Sequence, residues 1–231
     1  MKKIALLFLI SFGFFYESHA QTTDDATNDA GLWCTFNVEK NLSQKFSLFI
    51  TQEYRVRENF SQHNLFYTDL GASYKAANFI KISLSYRCIE KFIEDDAISF
   101  RHRASLDVLL KKKAGPLGFA FRQRLQSEYR NLHSSELGAI PEWYTRSKLT
   151  IKYDLDKPLT PYVACELRYQ INNPRSVETN NLWHRVRYIV GLDYKKSDRN
   201  TFGVYYLIQK EWNVSVPQNL YILGLEYTIT L

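Results

Sequence analysis

From about residue 31 to residue 231 the chain repeats one unit: a run of roughly ten to fifteen residues in which apolar and polar side chains alternate, then a turn. Eleven such runs can be marked, at 31–41, 45–57, 64–76, 78–90, 97–112, 117–130, 142–155, 160–172, 181–195, 201–212 and 219–231. Their period is two rather than 3.6, which makes them strands with two unlike faces and not helices. Their length narrows the choice further. Strands of soluble proteins average ~5–6 residues, whereas a strand crossing a hydrocarbon layer at a tilt needs ~9–11.

The stretch "NLWHRVRYIVGLDY" (181–194) shows the contrast between the faces. Its even positions carry Leu182, His184, Val186, Tyr188, Val190 and Leu192, and its odd positions carry Trp183, Arg185, Arg187 and Asp193. In 78–90, Ile80, Ile82, Leu84 and Tyr86 oppose Lys81, Ser83, Ser85 and Arg87. In 117–130, Leu117, Phe119, Phe121 and Leu125 oppose Arg122, Arg124 and Glu128. An Arg or Lys facing lipid at mid-membrane costs ~2–4 kcal/mol. Arg55, Arg87, Arg101, Arg103, Arg122, Arg124, Arg146, Arg185 and Arg187 all sit on polar faces. Even half of them in hydrocarbon would consume a typical total stability of ~5–15 kcal/mol. If the sheet meets lipid, the arginines therefore line its interior. Glu53, Asp107, Glu128, Glu166, Asp193 and Glu226 share their parity and are the expected partners. The 16 Tyr, 15 Phe and 4 Trp suit the aromatic girdles of such a barrel.

The predicted fold is all-β: a transmembrane, antiparallel, up-and-down β-barrel of ten to twelve strands. Eleven marked runs conflict with the even strand number of bacterial single-chain barrels, and twelve is preferred to ten. Connections alternate between short ("NLSQ", "AAN", "KKAGP", "DKPLT", "KSDRN") and longer ("RENFSQH", "EKFIEDD", "RNLHSSELGAIP", "NNPRSVETN", "EWNVSVPQ"). Short turns face the periplasm and longer loops the exterior.

The N-terminus reads as an export signal. Lys2 and Lys3 precede the apolar run "IALLFLISFGFFY", and Ser18-His19-Ala20 offers small residues for cleavage between Ala20 and Gln21. The domain plan is a signal peptide at 1–20, a flexible polar segment at 21–30 and one barrel domain at 31–231. Cys34, Cys88 and Cys165 are odd in number and far apart, which fits apolar fillers rather than a disulfide framework. The net charge of +6 is spread along the chain, unlike a nucleic-acid-binding patch.

No catalytic or metal motif emerges, and no cofactor is expected. His102 and His184 have lipid-facing parity near the outer strand ends, but Ser99 lies on the face opposite His102, so no nucleophile is paired with a base. An outer-membrane lipid-modifying enzyme and a secreted soluble binding barrel are the alternatives to a structural barrel or narrow passive pore.

The ordered motifs "SLSYR", "FRHRASLDV", "FRQRLQSEYR", "YTRSKLTIKYDL", "YVACELRYQINN", "NLWHRVRYIVGLDY" and "LYILGLEYTITL" resemble those of the family called domain of unknown function 2490, found in Bacteroidota and other bacteria. The pairs Glu53/Arg55, Arg101/Arg103, Arg122/Arg124/Glu128 and Arg185/Arg187 carry the resemblance from about Gly31 to Leu231. It implies an outer-membrane β-barrel and supplies no activity or substrate. The expected partners are outer-membrane lipid, lipopolysaccharide and the barrel-assembly machinery, and not nucleic acid.

Overall fold

A computed structural model describes residues 26–93, 97–131 and 136–231. The expected signal peptide, its expected cleavage point at Ala20 and Gln21, and the acidic loop tip at 94–96 lie outside them. Eleven strands follow one another: β1 (Thr27–Asn41), β2 (Phe46–Arg57), β3 (Gln62–Ala77), β4 (Ile80–Phe92), β5 (Ile98–Ala114) and β6 (Leu117–Arg130), then β7 (Glu142–Tyr153), β8 (Leu159–Asn172), β9 (Leu182–Lys195), β10 (Asn200–Glu211) and β11 (Gln218–Thr230). Each pairs with its neighbours in sequence, and β1 pairs with β11, which closes the barrel. No helix among the described residues is long and apolar enough to cross a membrane.

The strand number corrects the preference for twelve. With eleven strands in up-and-down order the first and last run in the same direction. β1 and β11 accordingly pair in parallel, in register from Thr27↔Gln218 to Glu39↔Thr230. All ten other pairings are antiparallel. β1 also begins earlier than expected. Thr27 to Ala30, assigned to the flexible lead-in, are held against Gln218 to Tyr221. Polar composition hid this extension, because the ladder is made by backbone groups that any residue supplies.

The turns explain the sharp strand ends. β5 and β6 are joined through Gly115 and Pro116, with Gly115 at φ +58°, a backbone conformation that glycine adopts without a Cβ clash. The connection between β2 and β3, expected to be long, is only residues 58–61. Eleven strands ~4.8 Å apart and tilted ~40° enclose a cylinder about 22 Å across between backbones. Side chains reaching in from all sides largely fill that width.

The two faces of the sheet differ as their sequences do. Outward positions are large, apolar and bare: Leu84 is 63% exposed, Val190 56% and Tyr188 51%. Aromatic side chains gather at both ends of this outer face. Phe46 meets Tyr74, and Phe202 stacks on Tyr227, near the short turns. Tyr169 meets Trp183 edge-on near the longer loops. The inner face buries Glu53, Asp69, Arg87, Glu128, Glu166 and Arg187. It also carries one apolar patch, Trp33, Leu207 and Ile222, backing the β1–β11 joint.

Register shifts re-aim a few side chains. At Arg168/Tyr169 the pairing of β8 with β9 skips His184, so that Tyr169 faces Trp183 while Arg168 faces Arg185. Trp183, assigned by simple alternation to the charged face, is thereby 45% exposed on the outer face. His184, assigned to the lipid face, is buried instead, and its backbone carbonyl accepts from Trp212. Strict parity fails there because a bulge inserts one extra residue.

Candidate functional site

A cavity of about 260 Å³ is lined by side chains from ten of the eleven strands, a set that can meet only inside the barrel. Its charged lining comprises Arg55, Arg87, Arg122, Arg124, Arg146, Lys148 and Arg187 against Glu53, Asp69, Glu166 and Glu226. Cations therefore outnumber carboxylates. Most are placed by cross-strand register. Arg87 (β4) and Asp69 (β3) are direct partners, as are Arg124 (β6) and Asp107 (β5).

Three arrangements recur. The first is the two-point pair: Arg87 donates from Nε and a terminal nitrogen to Asp69 Oδ2 (3.2 and 2.7 Å), and Arg124 bridges both oxygens of Asp107 at 2.5 Å. In the Arg124–Asp107 pair both oxygens are engaged, so guanidinium and carboxylate planes match and orientation is fixed as well as charge. The second is the cation over a ring. Arg55 lies 3.6 Å from the Trp33 centroid while donating to Glu53, Arg87 lies 3.7 Å from Tyr67, and Arg168 lies 3.7 Å from Tyr144. Arg is suited to both contacts at once because its charge is spread over a flat group.

The third is a single acid shared by several arginines. Toward the longer loops, Glu128 accepts from Arg101 (3.4 Å), Arg103 (Nε, 2.9 Å) and Arg130 (3.2 Å), and from the Tyr144 hydroxyl (3.2 Å). Glu142 holds Arg130 (2.7 Å) and Arg175 (3.4 Å) beside it. At the cavity, Glu166 accepts from Arg122 (2.7 Å), from Arg146 Nε (3.0 Å) and from Arg187 (3.3 Å). Lys148 faces Glu166 across the β7–β8 ladder and lines the same cavity, yet makes no direct hydrogen bond or ion pair among the described residues.

The remaining predicted residues are scattered. Arg185 pairs with Glu211 at 2.5 Å, near the loops. Asp193 accepts from Lys152 at 2.6 Å, nearer the short turns. Glu226 accepts from Asn37 at 2.8 Å and has no ion pair within the described residues. Several participants were not among the predicted residues: Asp69, Glu142, Arg130, Lys148, Arg168 and Arg175. Each has inward parity or sits by a loop, so parity could have found most of them. Their partners depend on register, which alternation leaves open.

Among the described residues, His102 and Ser99 stand on opposite faces. His102 stands on the outer face with its Nδ1 2.8 Å from the Tyr86 hydroxyl. Ser99 is buried on the inner face and donates to Asn131 at 2.9 Å. The cysteines are free, and no group of three metal-binding side chains occurs among the described residues.

A closed up-and-down sheet with charge inside and apolar side chains outside is a porin-like β-barrel. The chain belongs to the family of proteins of unknown function DUF2490, whose model matches residues 30–221. No curated protein matches its sequence. Among solved structures it is similar to the NanC porin, at 13% identity over 84% of this chain and 92% of that one, with a TM-score of 0.52. The β domain of the Bordetella autotransporter Brka matches at 8% identity over 80% of this chain and 81% of that one, with a TM-score of 0.46. At 13% identity the likeness to the NanC porin is one of fold.

Proposed function

We propose that the protein is an integral outer-membrane β-barrel whose braced, net-cationic lumen forms a narrow passive pathway that favours small anions. The observation that carries the reading is the inversion of the two faces. Leucine, valine and tyrosine project outward at about half exposure or more, and arginine–carboxylate pairs fill the interior. A water-soluble barrel would place these groups the other way round. Closure supports the same reading, since an open sheet edge in hydrocarbon would leave several backbone groups unsatisfied. The aromatic clusters at both ends of the outer face fall where interface girdles sit.

The excess of cations along the cavity is the basis for anion preference, since rings of Arg and Lys favour anions in pores. The shared acids narrow the path without neutralising it. A wholly plugged, structural barrel is the second reading, favoured by the reach of single bonds over intervening strands: Lys81 on β4 donates to Glu39 on β1 at 2.7 Å.

Reconstitution in planar bilayers tests the proposal. The expected result is small ohmic steps whose reversal potential under a potassium chloride gradient shows chloride preference. Electrical silence would favour the plug, and cation preference would refute the charge argument. Recovery of the folded chain from buffer without detergent would refute the membrane location itself.

A further inference from the structure

The Glu166 cluster has more positive charge than its protein partners balance. Arg122, Arg146 and Arg187 converge on one carboxylate, and Lys148 faces it across the β7–β8 ladder without touching it. The other cavity cations have acids of their own: Arg55 has Glu53, Arg87 has Asp69 and Arg124 has Asp107. Assigning Glu226 wholly to Lys148 would still leave three arginines on Glu166. Two donors here are also idle. Arg122 Nε is buried with no hydrogen-bond partner, and Lys148 meets the cavity without a direct acceptor. A buried polar group that lacks a partner costs ~1–3 kcal/mol, more if it is charged. The cavity beside them, about 260 Å³, has room for a small oxyanion and its water.

We propose that Arg122, Lys148 and Arg187, set by Arg146 and Glu166, form a binding site for a small oxyanion: a phosphate group or a carboxylate. Planar guanidinium forks match either group at two points, and the lysine adds a mobile point charge. Glu166 takes one terminal nitrogen of Arg122 and one of Arg187, which leaves the other terminal nitrogen of each for the ligand. Gln209 accepts from Arg187 Nε at 2.7 Å and holds that side chain from behind. The inference rests on the lumen being reachable from water, which the pore reading also requires. It does not require that ions pass through.

The test is therefore equilibrium binding rather than current. Inorganic phosphate and, separately, acetate would be titrated calorimetrically into the detergent-solubilised barrel at physiological salt. One saturable site is expected, and the tighter of the two probes identifies phosphate or carboxylate as the preferred group. Lys148→Gln and Arg122→Gln should each weaken it about tenfold or more, the value of one charge-assisted bond. Both variants remove a cation from a like-charged group, so the barrel should keep its fold, checked by the temperature dependence of its gel mobility. Lys111→Gln, a lysine nearer the short turns and outside the cluster, should leave the affinity unchanged. No saturable binding of either probe would overturn the proposal, as would binding that survives both cluster variants or falls equally with Lys111→Gln. A barrel that binds but does not conduct would refute the pore reading alone.

Discussion

Replacing Glu166 with glutamine is the sharpest perturbation of the interior. The side chain keeps its shape and can still accept one hydrogen bond, but its charge is gone. Glu166 is 4% exposed and engages Arg122, Arg146 and Arg187. At an effective dielectric of ~20, each pair of charges about 4 Å apart interacts by ~4 kcal/mol, so the gross loss is on the order of 12 kcal/mol. Water entering the cavity and relaxation of the arginines return much of it. Breaking a buried pair by removing one partner leaves a measured net cost of ~3–5 kcal/mol. For a chain of this size each kcal/mol shifts the midpoint by roughly 2–4 °C, which makes the expected drop roughly 6–20 °C. The assay is thermal unfolding in detergent, followed by circular dichroism and gel mobility. Adding Lys148→Gln to Glu166→Gln should recover part of the loss, because it removes one of the cations left unbalanced. A midpoint that is unchanged or raised by Glu166→Gln would refute the view that this carboxylate organises the cavity. A double variant less stable than the single one would refute the excess of positive charge.

Two further changes probe the wall of the barrel. Leu84→Arg, at a position 63% exposed on the outer face, should cost ~2–4 kcal/mol in lipid vesicles, measured by urea unfolding. A water-facing site would tolerate the change within ~0.5 kcal/mol, so a neutral result would count against a lipid-facing surface there. Gly224→Ala should destabilise by ~1–3 kcal/mol: a Cβ at Gly224 would stand 2.0 Å from the Tyr205 ring, which packs on its strand neighbour. Tyr205→Ala in the same chain should abolish the penalty, and an equal penalty in both backgrounds would refute the steric account.

The strands were the most legible part of the sequence, for a physical reason. Where one face must be apolar and the other charged, alternation persists along the whole strand, so the run 117–130 coincides with β6 and 142–155 exceeds β7 by two residues. The inward parity of Arg87, Arg124, Glu128 and Glu166 follows from the same rule. Closure was not legible. Direction along β1 is decided by how many strands follow it, and the even-number habit of bacterial barrels pointed to a twelfth. The bulge at His184 was hidden too, since a single inserted residue leaves the local alternation nearly intact while exchanging the faces beyond it. Partner choice was the least legible level. Which arginines share Glu166 depends on side chains two strands apart, as with Arg122 on β6 and Glu166 on β8.

The like-directed joint between β1 and β11 constrains how this barrel could have changed size. Gain or loss of a hairpin alters the count by two, so every such step from eleven leads to nine or thirteen and leaves the ends of the sheet pointing the same way. Only a single-strand event could convert it into a barrel with an even count. The joint is thus inherited together with the parity, and any relative built by duplicating hairpins of this chain should carry a parallel closure in the same place.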